Sequence, residues 1–341
     1  MITIIAEKEF KDYIKSRRFL LIFGFLLLIS IVSIWQGYNI YQSKLESYIA
    51  GKSPFQPSIF DVFRQMENFL GLIGAIFALS LGFDAITKER EMGTLKVLMS
   101  HPVYKDQVIL GKFLGGALAL GLAMVVMTLT SFGALLVMGL QIDGESLIRI
   151  ILFMFFTYLY LLLFLGIGMA FSALSKSSSN ALMYSLILFL VLMIVFPTIA
   201  PLLGSHFAGE APEPPKVSRE ENPHAWELYI KNYIEWQEKR YGIETKINSL
   251  SPYYNFQQLG SYILNPYKST KFSPQIVNKI MNNPQLVRAL RNRGIIPQIE
   301  LEKYSIGQSL SFALPHIILL IAPLIISFVV AYVIFMRSDV R

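Results

Sequence analysis

Six apolar stretches, each long enough to form a helix across a bilayer, dominate this chain of 341 residues. A spanning helix needs about 20 mostly apolar residues. The stretches run from Phe19 to about Gly37, about Phe69 to Ile86, Phe113 to Leu140, Leu147 to Leu174, Ala181 to Leu203 and Leu310 to Met336. Backbone in hydrocarbon must satisfy its own hydrogen bonds, which leaves helices or closed barrels. Runs of this length predict an all-α polytopic membrane protein. Composition agrees, with 54% hydrophobic and only 16% charged residues, where soluble domains carry about a quarter charged. The first stretch follows Lys15-Ser16-Arg17-Arg18 as a signal peptide would. It is long, however, and no small-residue cleavage site follows, so a retained anchor is expected.

Six spans put both ends on one face, and basic residues indicate which. Thirteen Lys and Arg flank the spans on the face of the termini: Lys8, Lys11, Lys15, Arg17, Arg18, Lys88, Arg90, Lys96, Lys105, Lys112, Lys176, Arg337 and Arg341. Four lie in the opposite short loops: Lys44, Lys52, Arg64 and Arg149. Positive flanks stay inside, so both termini are expected in the cytoplasm of a multi-pass cell-membrane protein. The same bias accounts for the net charge of +7 without nucleic acid, for which no reader motif is present.

Ahead of the first span, Ile2, Ile5, Ala6, Phe10, Tyr13 and Ile14 recur at helical spacing opposite Glu7, Lys8, Lys11, Asp12, Lys15 and Arg18. This predicts an amphipathic interfacial helix over 1–18, either a simple lipid anchor or a lever that feels a cytoplasmic partner. Gly71, Gly74, Gly111, Gly115, Gly116 and Gly121 allow close helix contact. Pro197, Pro201, Pro315 and Pro323 would kink their spans. Residues 204–309 are too polar to span. Trp226, Tyr229, Ile230, Tyr233 and Ile234 follow a helical stripe there. Ser273-Pro274 and Asn283-Pro284 read as helix starts, and Arg293-Gly294 as a stop. A mainly helical external domain between spans five and six is expected.

Chemistry is sparse. Cysteine is absent, and His101, His206, His224 and His316 stand too far apart in sequence for typical metal-ligand spacing. A phosphate loop needs Gly, four residues, then Gly-Lys-Ser/Thr. At the nearest approach, Gly111-Lys112, Asp106 replaces the first glycine and Phe113 the hydroxyl. The run Ser175–Ser179 reads as a turn. No acidic run lies deep within the spans to relay ions; Asp84 sits near a span end and His316 near the outer edge of the sixth span. This chain is expected to bind no cofactor or metal and to catalyse no reaction itself.

The most informative segment is the short polar loop after the second span. Lys88-Glu89-Arg90-Glu91 carries the helix into water, and Gly93 permits a sharp turn. Thr94 is positioned to cap a short helix from Leu95 to Ser100 presenting Leu95, Leu98 and Met99, which Pro102 ends. On these residues alone the helix is a docking knob or rests on lipid.

The run Glu89-Arg90-Glu91-Met92-Gly93-Thr94-Leu95, with Ser100-His101-Pro102-Val103 and Leu110-Gly111-Lys112 after it, resembles the pattern of permeases of type-2 ATP-binding cassette (ABC) transporters. Ser251-Pro252-Tyr253-Tyr254, ahead of the last span, is similar to a Ser-Pro-aromatic stretch of that family. The resemblance implies a homodimer or heterodimer of permeases, each docking an ABC ATPase that holds ATP and Mg. It implies export powered by that subunit, with 87–112 as the coupling loop. Carried over as the ATPase-coupling interface are Glu89, Glu91, Gly93, Thr94, Leu95, Leu98, Met99 and Pro102, with Gly111-Lys112 shaping the segment. The chain then divides into the interfacial helix 1–18, spans one to five over 19–203, the external domain 204–309, the sixth span 310–336 and a tail 337–341. An ion-coupled carrier and a non-transporting membrane anchor remain the alternatives; no inverted repeat or buried charge supports the first.

Overall fold

The computed structural model describes residues 1–50, 58–100, 103–218, 221–265, 267–269 and 301–338. The helix starts expected at Ser273-Pro274 and Asn283-Pro284, and the stop at Arg293-Gly294, lie outside them. Six helical runs are long and apolar enough to cross a membrane: Arg17–Ile49, Phe60–Glu91, Lys105–Val137, Gly144–Leu174, Ser178–Ala208 and Ile306–Arg337. The fold is an all-α polytopic membrane protein.

A short helix α1 (Ile2–Lys15) precedes the first span α2 (Arg17–Ile49), with Ser16 capping the junction by accepting from the Phe19 N–H. The second span comprises α3 (Phe60–Phe69), a π turn at Leu70–Gly74 and α4 (Ala75–Gly82). Past a bend it ends in α5 (Thr87–Glu91), followed by α6 (Thr94–Ser100). Then come α7 (Lys105–Val137) and α8 (Gly144–Leu174). The fifth span joins α9 (Ser178–Leu190), a π turn at Val191–Val195 and α10 (Phe196–Ala208). Two helices, α11 (Pro223–Asn248) and α12 (Pro252–Leu264), precede a short antiparallel ladder of β1 (Tyr267–Ser269) and β2 (Leu301–Lys303). The last span is α13 (Ile306–Arg337), opened by a Ser305–Gln308 capping box.

The second and fourth spans form the centre. Of their most apolar windows 61% and 72% is buried, against 17% for the fifth and sixth spans. Their contact is close because both sides are glycine: a Cβ on Gly82 would overlap the Leu165 carbonyl, and one on Gly168 would stand 2.7 Å from the Leu79 carbonyl. Small residues allow such backbone approach where lipid supplies no hydrophobic drive. The π turn of the second span faces α8, where the Tyr160 hydroxyl donates to the Gly71 carbonyl. Buried hydroxyls within the spans satisfy themselves locally, Thr157 bonding the Phe153 carbonyl and Ser131 that of Met127, each at 2.8 Å.

The bundle has two differently built ends. At the near end lie α1, α5, α6, the α8–α9 turn and the end of α13, where Lys105 Nζ reaches the Ser338 carbonyl at 2.7 Å. At the far end Arg149, 1% exposed, pairs with Glu145 and donates to the carbonyls of Ile263 and Tyr304 and to Ser309 Oγ.

The described part of the 204–309 segment, expected as a mainly helical external domain, carries α11 and α12. Its first residues extend α10, and α11 lies along that extension: Gly204 admits Glu244, and Trp236 Nε1 donates to the Gly209 carbonyl at 2.9 Å. Helix α12 packs inside the bundle against the second, fourth and sixth spans, because Phe256, Leu259 and Ile263 make a buried apolar stripe at helical spacing. Phe256 stacks on Tyr160 with ring centroids 4.5 Å apart. His316 of α13 meets Asn255 of α12 at 2.9 Å.

Candidate functional site at the near end

The loop after the second span folds as a helical hairpin. The first arm is α5 and the second α6. They part at Gly93, whose φ of +72° lies in the left-handed region that glycine occupies without strain. Gly93 also supplies the carbonyl that accepts from the Lys96 N–H at 3.2 Å. Thr94, expected as the cap of the short helix, is its first residue, and its hydroxyl donates back to the Glu89 carbonyl at 3.3 Å.

Several expected contact residues turn inward. Leu95, expected to be presented to a partner, is 2% exposed and belongs to the core, where the hairpin closes over it. Met99 is half-buried against the same core. Glu89 points at α7, with Oε1 2.7 Å from Lys112 Nζ. Glu91 accepts from the Ser178 N–H and hydroxyl, both at 2.8 Å. The outward side of the hairpin carries Met92 and Val97, 65% and 61% exposed. The Leu98 side chain and Pro102 lie outside the described structure.

Helix α1 braces the hairpin from one side. It lies on α7 because Gly111 and Gly115 leave room for Ile5 and Glu9. Ile5, Phe10, Tyr13 and Ile14 are half-buried against the core, and Ile2 is half-buried at the start of the helix. The Tyr13 hydroxyl donates to the Leu81 carbonyl at 2.9 Å, and Arg18 pairs with Asp84 at 2.7 Å. Glu9, which belonged to neither face in the sequence pattern, is buried beside Lys112 at 3.0 Å. Lys112, 2% exposed, thus joins α1, α5 and α7. Burial pushes the Glu9 carboxyl up, but Lys112 and Lys8 outweigh that and hold it below its ordinary value.

Between α1 and the hairpin opens a cleft of about 590 Å³. Lys8, Asp12, Arg18 and Lys88 line it with charge, and Met92 and Val97 with apolar surface. From the other side the hairpin is held by the α8–α9 turn, where Ser172 Oγ accepts from the Ile86 and Thr87 N–H groups at 2.9 and 3.0 Å. No group of three His, Asp or Glu able to hold a metal occurs among the described residues. The hairpin is thus bonded to α7 and to the α8–α9 turn and keeps one open, mixed apolar and charged face.

Sequence reasoning missed Glu9, Ser172 and Ser178, and took Lys112 only as shaping the segment. Serines at 172, 175 and 178 recur every three residues, a spacing that reads equally well as a turn.

A model of ABC-2 family transporter proteins matches residues 3–340. Among curated proteins, the chain is 33% identical over 151 residues to a probable ABC transporter permease protein NosY of Pseudomonas aeruginosa, covering 44% of this chain and 50% of that one. It is 31% identical over 144 residues to the protein of the same name from Stutzerimonas stutzeri, covering 42% and 47%. These matches span about half the length of the relatives.

Proposed function

Because the chain belongs to the ABC-2 family of transporter proteins, we propose that this permease subunit couples ATP hydrolysis on a separate ABC ATPase to export of a substrate. The observation that carries the reading is the hairpin: an exposed apolar pair, Met92 and Val97, beside a charge-lined cleft, on a scaffold pinned to the ends of several spans. Apolar anchors beside polar groups are the composition of a protein-docking surface. The basic flanks support a cytoplasmic position for this end, where such an ATPase and its ATP reside. The nearest approach to a phosphate loop, Gly111-Lys112, lacks the first glycine and the hydroxyl, which supports assigning ATP to the separate subunit. The curated relatives carry the same assignment of permease in their names.

In this reading α6 and the outward side of α5 seat on the ATPase, and the buried residues transmit rather than touch. Glu89 holds α1 and α7 through Lys112, and Leu95 keeps the hairpin closed. The two-permease, two-ATPase assembly would leave the lightly buried fifth and sixth spans to lipid or to the second permease.

Co-purification with the ABC ATPase tests it. Tagged wild-type chain is expected to retain the ATPase, and the Met92→Asp, Val97→Asp pair to retain about tenfold less with an unchanged melting temperature. Leu95→Asp is the wrong probe, because it places a charge in the core. Failure of the wild type to hold any ATPase would remove the coupling role.

A further inference from the structure

The end of α5 and the α8–α9 turn meet through three serines and two charges. The Thr87 hydroxyl sits 3.3 Å from Ser172 Oγ and 3.0 Å from Ser178 Oγ. Arg90 donates to the carbonyls of Ser175 and Ala173 at the C-terminus of α8. Glu91, the next residue, accepts from the backbone and hydroxyl of Ser178 at the N-terminus of α9. The free carbonyls of one helix end carry partial negative charge, and the free N–H groups of the other carry partial positive charge. The cation and the anion are therefore each on the matching end, and charge-assisted bonds of this kind are roughly twice as strong as neutral ones. Both side chains are committed within the chain.

We propose that Arg90 and Glu91 are positioning residues that hand movement of the loop hairpin to α9 and so to the fifth span, through the serine-bearing turn. The inference rests on the coupling role above. The family resemblance implies that Glu91 is a contact to the ATPase; the geometry makes it the link on the other side. The fifth span is suited to receive such motion. Only 17% of its apolar window is buried, so little packing within the chain resists its displacement, and a π turn and Pro201 already interrupt its ladder.

The cysteine-free background permits a direct test on the full chain bound to its ATPase in lipid nanodiscs. Spin labels at Leu129→Cys on α7 and Met183→Cys on α9, both exposed, report the distance between spans three and five. Adding ATP and vanadate is expected to shift that distance by on the order of 1–2 Å or more. Glu91→Ala should cut the shift by more than half while the ATPase stays bound. Ser178→Thr, which keeps the hydroxyl, should preserve it. An undiminished shift in Glu91→Ala overturns the proposal, as does a wild-type chain whose fifth span does not move. If Glu91→Ala instead releases the ATPase, Glu91 is a partner contact; the positioning role is overturned and the coupling role stands. A wild type that binds no ATPase fails both. Should Glu91→Ala misfold, the Arg90→Ala, Ser178→Ala pair decides, because it removes three of the four bonds that Arg90 and Glu91 make with the turn, and a full shift there also overturns the link.

Discussion

Lys112 shows how a single residue can set the geometry of the near end. Its ammonium lies between Glu9 at 3.0 Å and Glu89 at 2.7 Å and is almost sealed from solvent. Removing one partner of a buried pair leaves an uncompensated charge, which costs about 3–5 kcal/mol. Lys112→Met leaves Glu9 and Glu89 only the exposed Lys8, at 3.2 and 3.8 Å, so a loss at the lower end of that range is expected in detergent unfolding. Adding Glu9→Gln and Glu89→Gln should recover more than half of it, since the penalty is the stranded charge rather than the missing contact. The cluster also has an acid limit. Glu9 titrates below its ordinary value of 4.5 in the folded chain, so its contribution is complete above that value and fades as pH falls through the lower, folded one. The melting temperature should therefore drop as pH goes from about 5 to about 3, and less steeply in Glu9→Gln. A drop equally steep in both proteins would place the acid sensitivity elsewhere. Sequence could not show this cluster, because Glu9, Glu89 and Lys112 are joined only when α1 folds back onto α7. It did show Gly93, since a sharp turn between two short helices calls for glycine at the turn.

At the scale of elements, the spans were legible because about 20 apolar residues have only one use in a membrane, whereas which spans touch is written in glycines whose neighbours the sequence does not name. Gly111 and Gly115 were visible as a packing face, but their partner is the amphipathic α1 and not another span. The apolar face of α1, open in the sequence between a lipid anchor and a lever, packs against the chain itself. Helix α12 was hidden for a related reason: its stripe is short and lies in a polar segment, so it resembled part of an outside domain. Two substitutions separate close packing from mere helix propensity. Gly82→Ala puts a methyl group against the Leu165 carbonyl, a backbone atom that cannot step aside. Overpacking of this kind is expected to cost about 1–3 kcal/mol. Gly24→Ala meets nothing within 4 Å and should stabilise slightly or leave the melting temperature unchanged. Equal behaviour of the two variants would contradict the close second–fourth span contact.

Across the whole molecule, polar anchoring is concentrated at the two ends and the middle is held by small-residue packing. The near end is pinned by Lys112, Arg90 and Glu91, and the far end by Arg149, whose guanidinium meets groups from α8, α12 and α13 together with Tyr304 just ahead of α13. Under the proposed coupling role this division matters, because a bundle rearranged by a partner at one end needs its other end to keep register. Arg149 is the part of that far-end anchor with the fewest substitutes: a planar fork of five donors reaches a carboxylate, two carbonyls and a hydroxyl at once, which lysine cannot reproduce. Arg149→Leu should therefore loosen the far end selectively. Amide exchange in α12 (Pro252–Leu264) is expected to accelerate at least tenfold, the mark of a local opening made easier by about 1.4 kcal/mol, while α1 and α5 exchange as in the wild type. Acceleration spread evenly over both ends would mean that Arg149 supports global stability alone. Confinement to α12 and the start of α13 would mean that the two ends open independently, so that a movement begun at the loop hairpin need not unfasten the far end to reach the fifth span.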